Sequence, residues 1–175
     1  MSERSEGGAP KPTGRVGRGA AGAYDMVLTR TFRASIDDVW ASVTESDRTV
    51  RWFGAWRGEP GPGRTVEVQM GFEEGTPWCD LRIEVCEPPR RLAVSMLDEA
   101  GDWRMEVRLT EDGGVTTLEL VHHLADPGMA ENAGPGWEYY LDMLVAARDG
   151  RPLPDFADYF PAQAEYFAAQ ARAAG

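Results

Sequence analysis

The sequence predicts an α+β fold: a six-stranded, curved antiparallel sheet wrapped around a long C-terminal helix, with two short helices between strands 1 and 2. Three observations carry this expectation. Six runs of the chain alternate apolar and polar residues, as strands with one buried and one solvated face do. Two helical stretches have aromatic ends, Arg51-Trp52-Phe53 early and Gly136-Trp137 late. The resulting order is β-α-α-β-β-β-β-β-α without an internal repeat, and strands in that order curl around the last helix with room between them.

Residues 1–22 are rich in Gly, Pro, Ser, Arg and Ala, lack apolar periodicity and read as a disordered tail. The first strand starts at Tyr24, where Tyr24, Met26, Leu28 and Phe32 share one parity, interrupted by Arg30. Ser35 is placed to cap a helix whose apolar positions Ile36, Val39, Trp40 and Val43 follow i, i+3, i+4, i+7 spacing. A second short helix from Ser46 ends near Trp52-Phe53, before the turn-rich run from Gly58 to Gly63.

Strands then follow on Val66/Val68/Met70, Cys79/Leu81/Ile83/Val85, Leu92/Val94/Met96, Trp103/Met105/Val107/Leu109 and Leu118/Leu120/His122. Asp112-Gly113-Gly114 is a hairpin signal between the last two. Gly134-Pro135-Gly136 breaks a helical turn begun at Asp126-Pro127, and the long helix runs from Trp137 to about Ala147 with Gly150 as its stop. The domain is therefore 23–150. Residues 151–175 form a helical extension, aromatic at Phe156, Tyr159 and Phe160 and Ala-rich beyond, expected to pack on its own domain, with a dimer contact or a cover over the cavity mouth as the alternatives.

The chain has 175 residues and a net charge of −11. Its first 23 residues carry four basic and two acidic groups, so the remainder holds a net −13. So acidic a domain repels phosphate backbones and anionic lipid, which argues against nucleic acid and membrane surfaces as partners. No apolar run approaches the ~18 residues of a membrane span and no apolar signal core is present, so a cytoplasmic protein is expected. Lys11, the only lysine, lies in the tail, which removes lysine chemistry from the domain.

Cys79 and Cys86 sit seven residues apart in one predicted strand. At ~3.3 Å per residue they are roughly 20 Å apart, on opposite faces. A disulfide, which needs Cα atoms within ~7 Å, is excluded. His122 and His123 are neighbours in a strand and point to opposite faces, so they do not share a metal. Parity sends His122 inward and His123 to solvent.

Asp80, Glu84, Glu106 and Glu119 fall on the wet face, so no carboxylate pair points inward. Phosphate loops, nucleophile elbows and metal-spaced clusters are absent. No catalytic residue, metal or cofactor is assigned. The aromatics make the better case: Trp52, Phe53, Trp56, Trp103, Met105, Leu120, His122, Trp137, Tyr140 and Leu144 are the expected lining of an apolar cavity with a few polar handles.

Thr31-Phe32, Asp37-Asp38-Val39-Trp40, Arg51-Trp52-Phe53, Glu87-Pro88-Pro89-Arg90-Arg91-Leu92, Leu118-Glu119-Leu120-Val121-His122 and the run Gly136 to Leu144 occur in that order. In them the chain resembles the SRPBCC superfamily, and within it the homologues of the heat-shock protein 90 ATPase activator (Aha-type C-terminal domain), over roughly Tyr24 to Gly150. The resemblance implies a START-like helix-grip fold whose sheet and C-terminal helix enclose a hydrophobic cavity. Trp40, Trp52, Phe53, Pro88, Leu120 and Trp137 match positions that are mainly structural in that family.

Three functions follow as expectations. The first is a non-catalytic protein holding a small apolar or aromatic ligand in the cavity. The second is a co-chaperone-like interaction module, with a chaperone or a second copy as partner. The third is a polyketide cyclase/aromatase-type enzyme using His122 or Tyr140 as a proton donor or acceptor.

Overall fold

The alternating runs pair into one antiparallel sheet in the computed structural model, which describes residues 9–20, 23–98 and 101–175. Its strands are β1 (Arg15–Arg18), β2 (Tyr24–Phe32), β3 (Trp56–Arg57), β4 (Thr65–Gln69), β5 (Trp78–Glu87), β6 (Arg91–Asp98), β7 (Gly101–Asp112) and β8 (Val115–Leu124). The helices are α1 (Ile36–Thr44), α2 (Ser46–Thr49), α3 (Ala130–Asp149) and α4 (Ala164–Ala174). Spatial order is β1-β2-β8-β7-β6-β5-β4-β3. An antiparallel sheet gripping a long C-terminal helix fits the helix-grip architecture, with eight strands among the described residues rather than the six expected.

Both additional strands are edges with little pattern to betray them. β3 has two residues, and β1 is Arg-Val-Gly-Arg, with a single apolar side chain. β1 lies within the stretch expected to be disordered. It pairs with β2 from Arg15↔Val27 to Arg18↔Tyr24, and Val16 is buried. Residues 1–8 and 21–22 of that stretch lie outside the described residues.

Local chemistry sets the remaining elements as the pattern requires. Ser35 caps α1 by accepting the Asp38 N–H at 3.2 Å, and Ile36, Val39 and Val43 are buried. Gly113 and Gly114 have φ of +57° and +79°, which turns Asp112↔Val115 into a two-residue hairpin. Met26, Leu28, Leu118, Leu120 and Leu124 on the sheet meet Leu141, Met143 and Leu144 of α3 in the core.

The long helix departs from expectation at its start. α3 begins at Ala130 and runs through Gly134-Pro135-Gly136. Pro135 lacks an N–H to donate, yet the helix continues past it. Gly134 is there for space. A Cβ at that position would overlap the ring of Phe167, the fully buried anchor of α4. The same ring closes on the N-terminal segment, since a Cβ on Gly14 would stand 2.6 Å from Phe167 Cε1.

The C-terminal extension packs directly on α3 of its own domain, and residues 10–16 are held beside both. Gln163 donates to the Pro10 carbonyl at 2.9 Å and Tyr166 to the Gly14 carbonyl at 2.8 Å. From α3, buried Glu138 accepts the Thr13 N–H at 2.8 Å and the Thr13 hydroxyl at 2.6 Å. Arg30, the charged interruption of β2, pairs with Asp142 at 3.0 Å, and Asp142 also accepts the Tyr159 hydroxyl at 2.7 Å.

The outer face of the sheet carries a second departure. Glu106, expected to be wet, is 4% exposed. Arg91, Arg108 (2.9 Å) and His123 (3.2 Å) fold over it, and His123 also reaches Asp25 at 2.7 Å. His123 is thus half-buried in an ion-pair cluster rather than free in solvent. Burial pushes the Glu106 carboxyl up, but hydrogen bonds from Arg108, Arg91 and His123 outweigh it and hold the pKa at about 2.

Candidate functional site

A cavity of about 390 Å³ lies between the inner sheet face, α1, the turn after α2 and α3. Sheet alternation supplies most of its wall: Val66 and Val68 of β4, Leu81 and Ile83 of β5, Val94 of β6 and Met105 of β7 all point inward from antiparallel pairs. Trp137 and Leu141 of α3 close it from the helix side. Trp40 and Val43 of α1 line it next to Trp52, Phe53 and Trp56. Glu45 and Pro60 are the solvent-exposed residues of the lining and mark its open side.

Each aromatic in the wall is held by a specific partner. The Trp52 indole N–H donates to the Ser42 carbonyl at 2.9 Å, and that of Trp56 to the Thr44 carbonyl at 2.8 Å. These two bonds use carbonyls at the end of α1, where a helix leaves acceptors without intrahelical partners. Thr49 ties the following turn by donating to the Gly54 carbonyl at 2.6 Å. Gly54 lets this turn lie against β4, since a Cβ there would collide with the Gln69 carbonyl. The turn so fixed presents Phe53 to Trp137, with rings 6.3 Å apart and nearly parallel.

Of the ten expected lining residues, the fold gathers Trp52, Phe53, Trp56, Met105, Leu120 and Trp137 around the cavity. Tyr140 stands one layer back, edge-on to Phe53 at 5.4 Å, with its hydroxyl donating to Glu73. Burial, then Glu73, keeps its phenol well above the usual range, so it is a fixed donor. His122 is fully buried behind Trp137, whose indole N–H donates to Nδ1 at 3.2 Å. Trp103 stacks on that imidazole at 5.1 Å. Burial, helped by the charge of His123, pushes the His122 pKa down to about 4, so the ring is neutral at pH 7.

Leu144 lies on the far side of Trp52, in a polar cavity of about 400 Å³ formed with α1 and α2. There Arg148 and Arg48 take the two oxygens of Asp38 at 2.7 and 2.9 Å, and Arg148 also donates to the Ser42 hydroxyl at 2.7 Å. Those two arginines hold the Asp38 carboxyl below its ordinary range. This ionic clamp fastens α1 to the end of α3.

Trp40, Val43, Val66, Val68, Leu81, Ile83, Cys86, Leu92, Val94, Val107, Leu118 and Leu141, with Thr44, Thr49 and Gly54, also line the wall without having been expected there. For most of them the signal was their shared parity with expected neighbours. Cys86 is different. Pairing shifts register between Ile83 and Val85, so beyond this bulge Cys86 rather than Val85 faces inward, opposite Leu92. The opposite-face reading of Cys79 and Cys86 fails for the same reason.

The lining is carbon on nearly every side, and the indole N–H groups of Trp52, Trp56 and Trp137 are already used. Among the described residues, no group of His, Cys, Asp or Glu is placed to hold a metal ion, and no helix is long and apolar enough to cross a membrane.

Residues 33–148 match the family described as activator of Hsp90 ATPase homolog 1-like protein. No protein of curated function matches the chain. Among solved structures, CalU16 from Micromonospora echinospora is 30% identical, with a TM-score of 0.74 over 94% of this chain and 99% of its own. EF2215 from Enterococcus faecalis superposes with a TM-score of 0.69 at 18% identity, covering 97% of this chain and 95% of its own. DynU16, a protein of the dynemicin biosynthetic locus, reaches 0.62 at 21% identity over 74% of this chain and 49% of its own. At those identities the last two share the fold alone.

Proposed function

We propose that this chain, which belongs to the activator of Hsp90 ATPase homolog 1-like family of the SRPBCC superfamily, is a non-catalytic binding protein for a small apolar or aromatic molecule. The observation that carries the reading is the apolar cavity of about 390 Å³, within the ~300–1,000 Å³ common for small-molecule sites. The indole N–H groups of Trp52, Trp56 and Trp137 are bonded to the protein itself, so along this wall recognition comes mainly from shape and apolar contact. The near-parallel pair Phe53 and Trp137 favours a flat ligand at that end.

An enzymatic use of the cavity has less support. The polyketide cyclase/aromatase-type expectation rested on His122 and Tyr140, and both stand outside the lining with hydrogen bonds to Trp137 and Glu73. Titration with the neutral apolar fluorophore N-phenyl-1-naphthylamine tests the binding reading. Saturable one-to-one uptake is expected for the natural chain. It should fall at least tenfold in Val94→Trp, whose indole fills the cavity, with folding preserved. Absence of uptake by the natural chain, or equal uptake by a folded Val94→Trp, sinks the proposal.

A further inference from the structure

The His122 imidazole combines complete burial with an unanswered donor. It is 0% exposed, and its Nε2 has no hydrogen-bond partner. Which nitrogen carries the proton follows from its neighbour. An indole N–H can only donate, so the bond from Trp137 fixes Nδ1 as the acceptor and leaves the hydrogen on Nε2. Buried N–H groups are rarely left without a partner, because the bond to water given up on folding is not replaced.

The position of this group connects it with the apolar cavity. His122 is the next inward residue of β8 after Leu120, and its cross-strand partner on β7 is Met105. Leu120, Met105 and Trp137 all line the cavity. The imidazole thus lies just past the cavity end that Trp137 closes, and Trp103 stacks against it. Among the described residues, the other buried side-chain atom without a partner is Gln163 Oε1, which belongs to the clasp between the two chain ends and not to this region.

We infer that His122 Nε2–H is the polar anchor of the ligand site, and that the natural ligand is a flat, largely apolar molecule bearing an oxygen acceptor, such as a ring carbonyl, which reaches Nε2 past the Trp137 ring. This rests on the binding reading above and narrows its ligand class. Carboxylates and phosphates are disfavoured, since the neutral imidazole brings no charge to offset theirs and the surrounding wall is carbon. A pure hydrocarbon leaves Nε2 unanswered.

Fluorene and 9-fluorenone test the assignment, being tricycles of nearly the same shape that differ by one carbonyl oxygen. Their dissociation constants are measured for the natural chain and for His122→Phe. Taking the ratio between the two ligands cancels their common apolar contribution, and comparing that ratio between the proteins cancels their unequal solubility. Preference for the ketone should drop by about tenfold in His122→Phe, the size of one buried neutral hydrogen bond. An unchanged ratio with both ligands still bound overturns the anchor while leaving the binding reading intact.

Failure of the natural chain to bind either tricycle overturns both. Histidine side-chain 15N spectra of the natural chain make the test independent of the variant's folding. 9-Fluorenone should shift the His122 Nε2–H resonance while fluorene leaves it in place. Equal responses to the two, or none, show that at most a bound water satisfies Nε2 and refute the inference.

Discussion

Replacing Gly134 and Gly136 separately by alanine gives opposite signs of stability change from two positions of one helix. Both lie inside α3 with ordinary helical backbone. On helix propensity alone each substitution stabilises by about 1 kcal/mol. At Gly136 nothing lies within 4 Å of the added methyl, so the full gain is expected. At Gly134 the methyl lands on Cγ, Cδ1 and Cδ2 of Phe167.

That ring has little room to retreat, being backed by Gly14 and fully buried. Forcing an extra methyl into such packing costs typically about 1–3 kcal/mol, and a boxed-in ring puts this case at the upper end. Subtracting the propensity gain leaves a net loss of about 2 kcal/mol. At about 2–4 °C per kcal/mol for a chain of this size, Gly136→Ala should raise Tm by about 2–4 °C and Gly134→Ala should lower it by about 4–8 °C. Differential scanning calorimetry reads both. A stabilised Gly134→Ala would show that this glycine is a tolerated helix defect and not the socket for Phe167, and the account of how α4 docks would fall with it.

Glu106 gives the acid limb of stability. Its folded pKa of about 2 lies below the unfolded value near 4.5, so its contribution is complete above pH 4.5 and is lost as pH falls toward 2. A shift of that size corresponds to up to about 3 kcal/mol. Urea unfolding of Glu106→Gln should show a flatter pH dependence between 4.5 and 2 than the natural chain, and parallel curves would contradict the assignment. Glu138→Gln, which weakens the pair of bonds to Thr13, should cost about 1–3 kcal/mol. Hydrogen exchange should then speed up at Thr13 and Val16 before it does in β7 and β8, and a uniform response would refute the clasp.

Much of the fold was legible because it rests on short-range periodicity. The alternation through Thr65–Gln69, Gly101–Asp112 and Val115–Leu124 marks strands with one dry face, and the stripe Ile36, Val39, Val43 marks the buried side of α1. Met105, Leu120 and Trp137 could be placed at one cavity for the same reason, and Trp52, Phe53 and Trp56 because they follow the end of a short helix facing the sheet. Parity fails where a local irregularity intervenes, as the bulge after Ile83 does in bringing Cys86 inward. It is also silent on edge strands such as β1, whose pairing depends on β2 being there first.

The amino-acid sequence by itself determined six of the eight described strands, the first short helix, the body of the long one and the apolar character of the space between them, since period-two and period-3.6 patterns are properties of neighbouring residues. Tertiary structure alone decided what those patterns leave open. It turned Gly134 from a breaker into a socket, because only the approach of Phe167 from about thirty residues away gives the missing Cβ a purpose. It buried Glu106 on the outer face, because three cationic or polar side chains from separate strand positions converge over one carboxylate. Among the described residues, it also left one buried polar side-chain atom beside the cavity without a partner, His122 Nε2. Hydrogen-bond satisfaction is a property of which groups meet in space, and no local pattern encodes it.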